Sequence, residues 1–516
     1  MTRRLFIYGN WASYDELSDS VPLSEELAMR QLSELLRLRE QGVRFDGYLM
    51  DAFWYAKDGG YRTWRPGAWP NGPDRWLDAC REHDLLPGLW FTVNTRMGVS
   101  SPAWEDSFAP SGWGMCLFLG GFLEDFRDVL SYWYGRGIRI FKFDFAEFNA
   151  VPPDFPPNED ATAKNIEAFR NALATFRKSH LEAVLMAFNG FEERECMNRS
   201  DNPPGRYVDP AWLGVFDSLY CGDPRPADLP SGSFWRSVDM YTDAMTRLFE
   251  SSGIPLDRID NCGFMAGDTG TCYWRKKAGW KAMLLLSLAR GGRIHVAYGD
   301  LSLFSEDDSR WWGEAQTLFA ESDPAVAFGG WPGNAESYGW QAGHVAVAVN
   351  PDVLHRELVL PEGEWQVLCT DAGAMAELAG SKISLAGGQV ALLGKDGVRW
   401  MGGPFLDSTV HDTEFLQDHH VIGPAAELEV GTHPVRIVVE QKEATGRARR
   451  LWPSALVPSI PIQVRCDSVL LPPMIDRSVW SGVSWWVGDL PSSARPRRLS
   501  ITSHGETLRV RVLRKV

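Results

Sequence analysis

The chain has 516 residues, 44% of them hydrophobic, which suits one large domain with smaller ones attached and excludes a fibrous or disordered protein. Its net charge of −15 and pI near 5.2 argue against nucleic acid or an anionic membrane surface as the main partner. No window approaches eighteen uninterrupted apolar residues, and the opening MTRRLFIYGNW has too short an apolar run for a signal peptide.

Charge is uneven along the chain. From residue 432 onward 14 Lys and Arg stand against 6 Asp and Glu, a balance of +8 that leaves −23 on the first 431 residues; a solvated basic surface is the expected reading. The eight cysteines contain no CxxC and, without an export signal, are expected as free thiols in a cytoplasmic protein. The ten histidines form no ligand-spaced cluster, so neither a metal nor another cofactor is expected. The 23 tryptophans hint at carbohydrate, because an aromatic ring with a polar edge suits a sugar's C–H face and hydroxyls, but they serve equally as core material.

In chain order, strands are predicted at 4–8, 44–51, 85–93, 137–144, 182–189, 214–223, 258–264 and 292–300. Amphipathic helices are predicted between them at 24–42, 72–83, 121–135, 163–179, 236–253 and 275–291, with a last helix near 307–320. Eight strand-then-helix units within 1–325 predict an α/β fold, a (β/α)8 TIM barrel whose strands read as near-continuous apolar runs because both faces are buried. A doubly wound open sheet is the alternative, but no Gly-rich phosphate loop follows the first strand. Short alternating segments such as HVAVAVN, RELVLP, EWQVLCT and QVALL predict an antiparallel β-sandwich domain over 326–400. AELEV, VRIVVE, IPIQVR and TLRVRVL predict a second β-rich module over 401–516.

Several strands finish in an acid or amide: Asp51 on the second, Asp144 on the fourth, Asn189 on the fifth and Asp223 on the sixth. Barrel chemistry is built at strand ends, and strand alternation puts Ile138, Ile140, Lys142 and Asp144 on one face. Two carboxylates with aromatic walls suit glycosidic bond cleavage, one attacking carbon or activating water and the other protonating the leaving oxygen. Asp217 is the rival to Asp223 and is ranked lower because it lies earlier on its strand. Asp260 is a candidate for the pocket; Asp268, Asp300, Glu306 and Asp307 are read as loop or cap residues and His295 as core.

KFDF at 142–145 resembles the nucleophile motif of the α-galactosidase (melibiase) clan of glycoside hydrolases, in which Lys-x-Asp closes the fourth barrel strand. YLMDAFWYAKDG (48–59) and WRPGAWPNGPDRWLDACREHDLLPGLWF (64–91) resemble segments of family thirty-six. DFAE (144–147), CGD (221–223) and DNCGF (260–264) resemble motifs of the sibling family thirty-one, which contains α-glucosidases and α-xylosidases. The resemblance covers roughly residues 1–400. It implies a retaining exo-α-glycosidase with Asp144 as nucleophile and Asp223 as acid/base. Lys142 would bind a sugar hydroxyl and keep Asp144 ionised, Asp51 would accept from hydroxyls, and Trp54, Trp64 and Trp90 would form walls.

The chain departs from the galactosidase pattern at Ala52, where a second aspartate is usual, and at Ala146 and Glu147, which replace Asn and Arg. MAFNGFEERE, offering Asn189, replaces the Gly-rich, Cys-containing loop that reads the 2-hydroxyl, and Glu147 is placed where a different sugar or aglycone is selected. The partner implied is an oligosaccharide or glycoside, with no nucleic acid and no membrane; the sequence leaves room for a homo-oligomer. The alternatives are an α-glucosidase, an α-xylosidase or a transglycosylase on the same scaffold. From another class, the alternative is a carbohydrate-binding protein without catalysis.

Overall fold

In a computed structural model the described residues are 4–15, 21–94, 100–107, 114–191, 208–222, 234–260, 264–267, 277, 279–320, 324–332, 336–352, 354–371, 376–403, 405, 413–442, 461–473, 475–478 and 483–515. Nine parallel strands form the first sheet: β1 (Leu5–Gly9), β2 (Gly47–Met50), β3 (Leu86–Thr92), β4 (Ile140–Asp144), β5 (Val184–Ala187), β6 (Ser218–Tyr220), β7 (Ile259–Asp260), β8 (Phe264–Ala266) and β9 (Ile294–Gly299). Their order is β7-β6-β5-β4-β3-β2-β1-β9-β8. The two ends of that order, β7 and β8, are separated by three residues in the chain; β7 and the start of β8 fall in the seventh predicted strand, 258–264, and β8 runs two residues past it. Counted as one strand in two segments, paired first with β6 and then with β9, they complete a (β/α)8 barrel.

Among the described residues seven α-helices accompany the strands: α1 (Glu25–Glu40), α2 (Asp74–Glu82), α3 (Phe122–Gly135), α4 (Ala161–Ser179), α5 (Phe234–Ser251), α6 (Trp280–Ala289) and α7 (Glu306–Leu318). Local chemistry sets their ends. Ser24 caps α1 by accepting from Leu27 N, Glu25 and Glu26 face the positive end of its dipole, and Leu27, Leu32, Leu35 and Leu38 give it one apolar face. Ser305 and Asp308 form a reciprocal capping box on α7, so Glu306 and Asp307 are first-turn acids, and Asp300 caps the short turn 301–303.

One helix departs from expectation. Over Trp280–Ala289 α6 is buried on nearly every side rather than amphipathic, because it lies between barrel strand β8 and strands of the next sheet.

Outward-facing strand residues and inward-facing helix residues form an aromatic layer around the barrel. Phe91 and Phe143 meet Phe126 of α3, and Phe141 meets Phe176 of α4. Trp54 and Trp64 belong to this layer and are not walls of the barrel mouth. Trp54 is fully buried, packs against Trp64, Phe91 and Trp133, and donates through Nε1 to Trp90 O at 2.8 Å. Trp64 packs against Trp69 and Trp76. A tryptophan just past a strand can turn either way, and here apolar neighbours on α2 and α3 decide it.

After the barrel the chain forms antiparallel sheets. β10 (Ala325–Gly329), β11 (Tyr338–Ala342), β12 (Val345–Val349), β14 (Trp365–Thr370) and β17 (Val390–Lys395) make one; β13 (Arg356–Val359), β15 (Glu377–Ala379) and β16 (Lys382–Leu385) make a second. A core containing Ala346, Leu358, Ile383 and Leu393 lies between them. From Thr413 to Lys515 a five-stranded and a four-stranded sheet enclose a separate core that includes Ile437, Val464, Leu499 and Val510. Within it the Arg511–Glu440 pair is buried at 2.9 Å, so part of the basic excess of this region faces inward.

A buried ionic cluster joins barrel and first β-sheet. Asp243 of α5 accepts from Arg290 Nε at 2.7 Å, from Trp340 Nε1 at 2.7 Å and from the Tyr338 hydroxyl. Arg247 caps the same contact, donating to Gly330 O and lying over the rings of Tyr338 and Trp340.

Two stability measurements check this packing. Removing Asp243 leaves the Arg290 charge buried, so Asp243→Ala is expected to cost about 3–5 kcal/mol in denaturant unfolding. Trp54→Ala is expected to cost about 3–5 kcal/mol through the cavity it opens, whereas a surface wall residue would cost far less.

Candidate active site

Register and alternation bring one side chain from nearly every strand to the barrel's C-terminal mouth. Facing inward there are Asp51 after β2, Trp90 on β3, Lys142 and Asp144 on β4, Tyr220 on β6, Asp260 on β7 and Tyr298 on β9. The structure therefore gathers five residues singled out in the sequence, Asp51, Trp90, Lys142, Asp144 and Asp260, and Asn189 joins them just past β5. Asp260 is buried at its strand end, where its carbonyl accepts from Cys221 N at 2.9 Å.

Lys142 is fully buried and forms the centre of the cluster. Its Nζ donates to Asp51 Oδ2 at 2.9 Å and to the Tyr298 hydroxyl at 3.2 Å. Aromatic faces surround the ammonium, with ring centres of Phe188 at 3.9 Å, Tyr298 at 5.0 Å and Trp11 at 5.1 Å. Asp51 is held in turn: its Oδ1 accepts from Ala52 N at 2.9 Å, and its own N–H donates to Asn10 Oδ1 at 2.9 Å.

Asp144 is 1% exposed and accepts four N–H bonds. Trp90 Nε1 donates to Oδ2 at 3.0 Å; Phe145 N, Asn189 N and Asn189 Nδ2 donate to Oδ1 at 2.9, 3.1 and 3.0 Å. Burial pushes this carboxyl up to about 6, and Asp51 adds to the rise. Lys142, Trp90 and Asn189 pull it down without cancelling the burial. The lysine thus acts in the expected direction, but it donates to Asp51 and Tyr298, and its pull on Asp144 is weaker than the effect of burial.

Phe145 takes a left-handed backbone, φ +50°, which turns its N–H back onto Asp144. Glu147 lies farther along this turn, half-buried. Its backbone is pinned on both sides by Asn94, with bonds of 2.8 and 2.7 Å, and its Oε1 accepts from Asn149 N at 2.9 Å.

Asp217 lies at the opposite end of the barrel. It precedes β6, takes a two-point contact from Arg177 of α4 at 2.6 and 3.0 Å, and accepts from Leu185 N at the start of β5. His295 is core: it faces outward, its Nε2 is 2.7 Å from Ser287 Oγ, and burial lowers it to about 3. Asp223 and Asp268 lie outside the described residues; the described chain after β6 ends at Gly222. Among the described residues no group of three His, Cys, Asp or Glu side chains is placed to hold a metal ion.

Sequence reasoning missed Trp11, Phe188, Tyr220 and Tyr298. Tyr298 carries a period-two signal, since it stands two residues from the end of RIHVAYGD, on the same face as Val296.

No protein-family model matches the sequence, and no curated protein is matched by it. Solved structures with similar coordinates include the GH36 α-galactosidase AgaA of Geobacillus stearothermophilus. A variant in complex with 1-deoxygalactonojirimycin aligns with TM-score 0.52 at 12% identity, over 76% of this chain and 56% of that one. A second, in complex with raffinose, aligns with TM-score 0.52 at 11% identity over 77% and 56%; a third, with stachyose, gives 0.50 at 11% over 76% and 56%. The chain spans little more than half the length of those enzymes. It shares the barrel-and-sheet fold of these family 36 α-galactosidases.

Proposed function

We propose that the protein is a retaining exo-α-glycosidase, α-galactosidase-like, acting on a terminal α-linked sugar of an oligosaccharide or glycoside. The observation that carries this reading is a buried carboxylate, Asp144, at the end of β4, held by four N–H donors beside the Lys142–Asp51 pair. A purely structural barrel has no use for Asp51, Lys142, Asp144 and Asp260 all buried at its mouth, and such groups cluster at functional sites. Asp144 attacks the anomeric carbon, Asp223 protonates the leaving oxygen and then deprotonates water, and the Lys142–Asp51 pair binds sugar hydroxyls. The likeness in fold to α-galactosidases supports the reaction class.

The departures at Ala52 and Glu147 favour keeping α-glucoside, α-xyloside and transfer to a sugar acceptor in the test.

A panel of nitrophenyl α- and β-glycosides identifies the sugar. Asp144→Ala is expected to lower kcat/KM on the preferred α-glycoside by roughly 10⁴-fold, and Asp223→Ala by about 10²–10⁴-fold. Azide added to Asp144→Gly is expected to yield a β-glycosyl azide. Binding of sugar without cleavage of any α-glycoside would instead identify a non-catalytic protein.

The pH dependence follows from the buried carboxyl. The nucleophile is active only when ionised, so kcat/KM of the wild type is expected to fall as pH drops through about 6. An acid limb near the ordinary aspartate range, about 4, would contradict this.

A further inference from the structure

The residue standing where the sequence suggested a reader of the sugar's hydroxyls is turned toward the protein instead. Asn189 makes three contacts with the turn that carries Asp144. Its backbone N–H and its Nδ2 both donate to Asp144 Oδ1, at 3.1 and 3.0 Å, and its carbonyl accepts from Ala146 N at 3.0 Å. The next residue makes this close approach possible. Gly190 has φ +100°, and a Cβ there would lie 2.2 Å from Ala146 O and 2.5 Å from Ala146 N. The turns 144–147 and 188–190 therefore lock onto one another, and the asparagine amide is oriented by chemistry, since its own oxygen would be repelled by the carboxylate.

The two oxygens of Asp144 are consequently unequal. Oδ1 accepts from Phe145 N, Asn189 N and Asn189 Nδ2, which exhausts its lone-pair directions, whereas Oδ2 accepts from Trp90 Nε1. We infer that Asn189 is a positioning residue for the nucleophile, fixing Oδ1 as the held oxygen and presenting Oδ2 as the one that attacks. This rests on the assignment of Asp144 as nucleophile. A lone pair of Oδ2 forms the new bond to the anomeric carbon as the glycosidic bond breaks, its electrons passing to the leaving oxygen, which takes up a proton from the acid. Oδ1 becomes the ester carbonyl oxygen. When water later attacks, the three N–H donors receive the returning charge on the carboxylate, so the same clasp keeps Asp144 ionised and makes it a ready leaving group.

The test compares wild type, Asn189→Ala and the nearly isosteric Asn189→Asp on the preferred nitrophenyl α-glycoside. For Asn189→Ala, kcat is expected to fall about 10- to 100-fold, the loss of one hydrogen bond to a charged group, with KM changed less than about threefold. The acid limb of kcat/KM is expected to move to higher pH, by about one pH unit, because a donor to the ionised form is gone. Asn189→Asp places a second carboxylate against Oδ1 and is expected to move the limb further in the same direction. A raised KM with the acid limb unmoved in both variants would overturn the inference and make Asn189 a substrate-binding residue. The underlying assignment is read separately by trapping the wild type with an activated fluoroglycoside and locating the ester by peptide mass spectrometry. An ester on another residue overturns the nucleophile and the clasp together, while an ester on Asp144 with an unmoved limb overturns the clasp alone.

Discussion

The centre of the site depends on burying the Lys142 ammonium beside the carboxyl groups of Asp51 and Asp144 at the barrel mouth. Each ion loses several kcal/mol of hydration there, after relaxation, and the loss is offset only by good geometry. The protein offsets it by division of labour. Lys142 is paired with Asp51 and surrounded by the rings of Phe188, Tyr298 and Trp11, while Asp144 receives N–H donors and, among the described residues, no direct ion pair. An ion pair between Lys142 and Asp144 would hold the carboxylate's charge too firmly for attack on carbon. Neutral donors hold it in place and leave its pKa raised, which suits a nucleophile working near neutral pH.

That arrangement needs a rigid frame, and the frame is assembled from the outside inward. The aromatic layer of Trp54, Trp64, Trp76, Phe91, Phe126 and Trp133 fixes how β2, β3 and β4 lie under α2 and α3. Trp54 reaches directly into the site's support, because its Nε1 holds the carbonyl of Trp90, whose own Nε1 holds Asp144. On the other side the Asp243–Arg290 cluster fastens the antiparallel sheet over α5 and α6. The sheet thus covers a helix too apolar to face water.

Much of this was legible in the sequence because periodicity and charge carry it. The eight strands and seven helices follow apolar runs and caps, and the inward face of GIRIFKFD follows from alternation alone, so Lys142 and Asp144 were bound to share one side. The aromatic residues were less legible. Trp54, Trp64 and Trp90 look alike as tryptophans near strand ends, yet only Trp90 lies within a strand whose alternation determines its direction. Trp54 and Trp64 follow β2 in irregular chain, where packing decides. Asn189 stands out by its position at a predicted strand end, but its partner depends on the backbone of Phe145 and Gly190, which no side-chain pattern encodes.

The central claim is a covalent intermediate on Asp144, and the stereochemistry of the first-formed product tests it most directly. Proton NMR of the anomeric signal, followed from the first turnovers before mutarotation, is expected to show the α-anomer appearing first. A β-anomer appearing first would mean direct attack by water, and Asp144 could then not be the nucleophile.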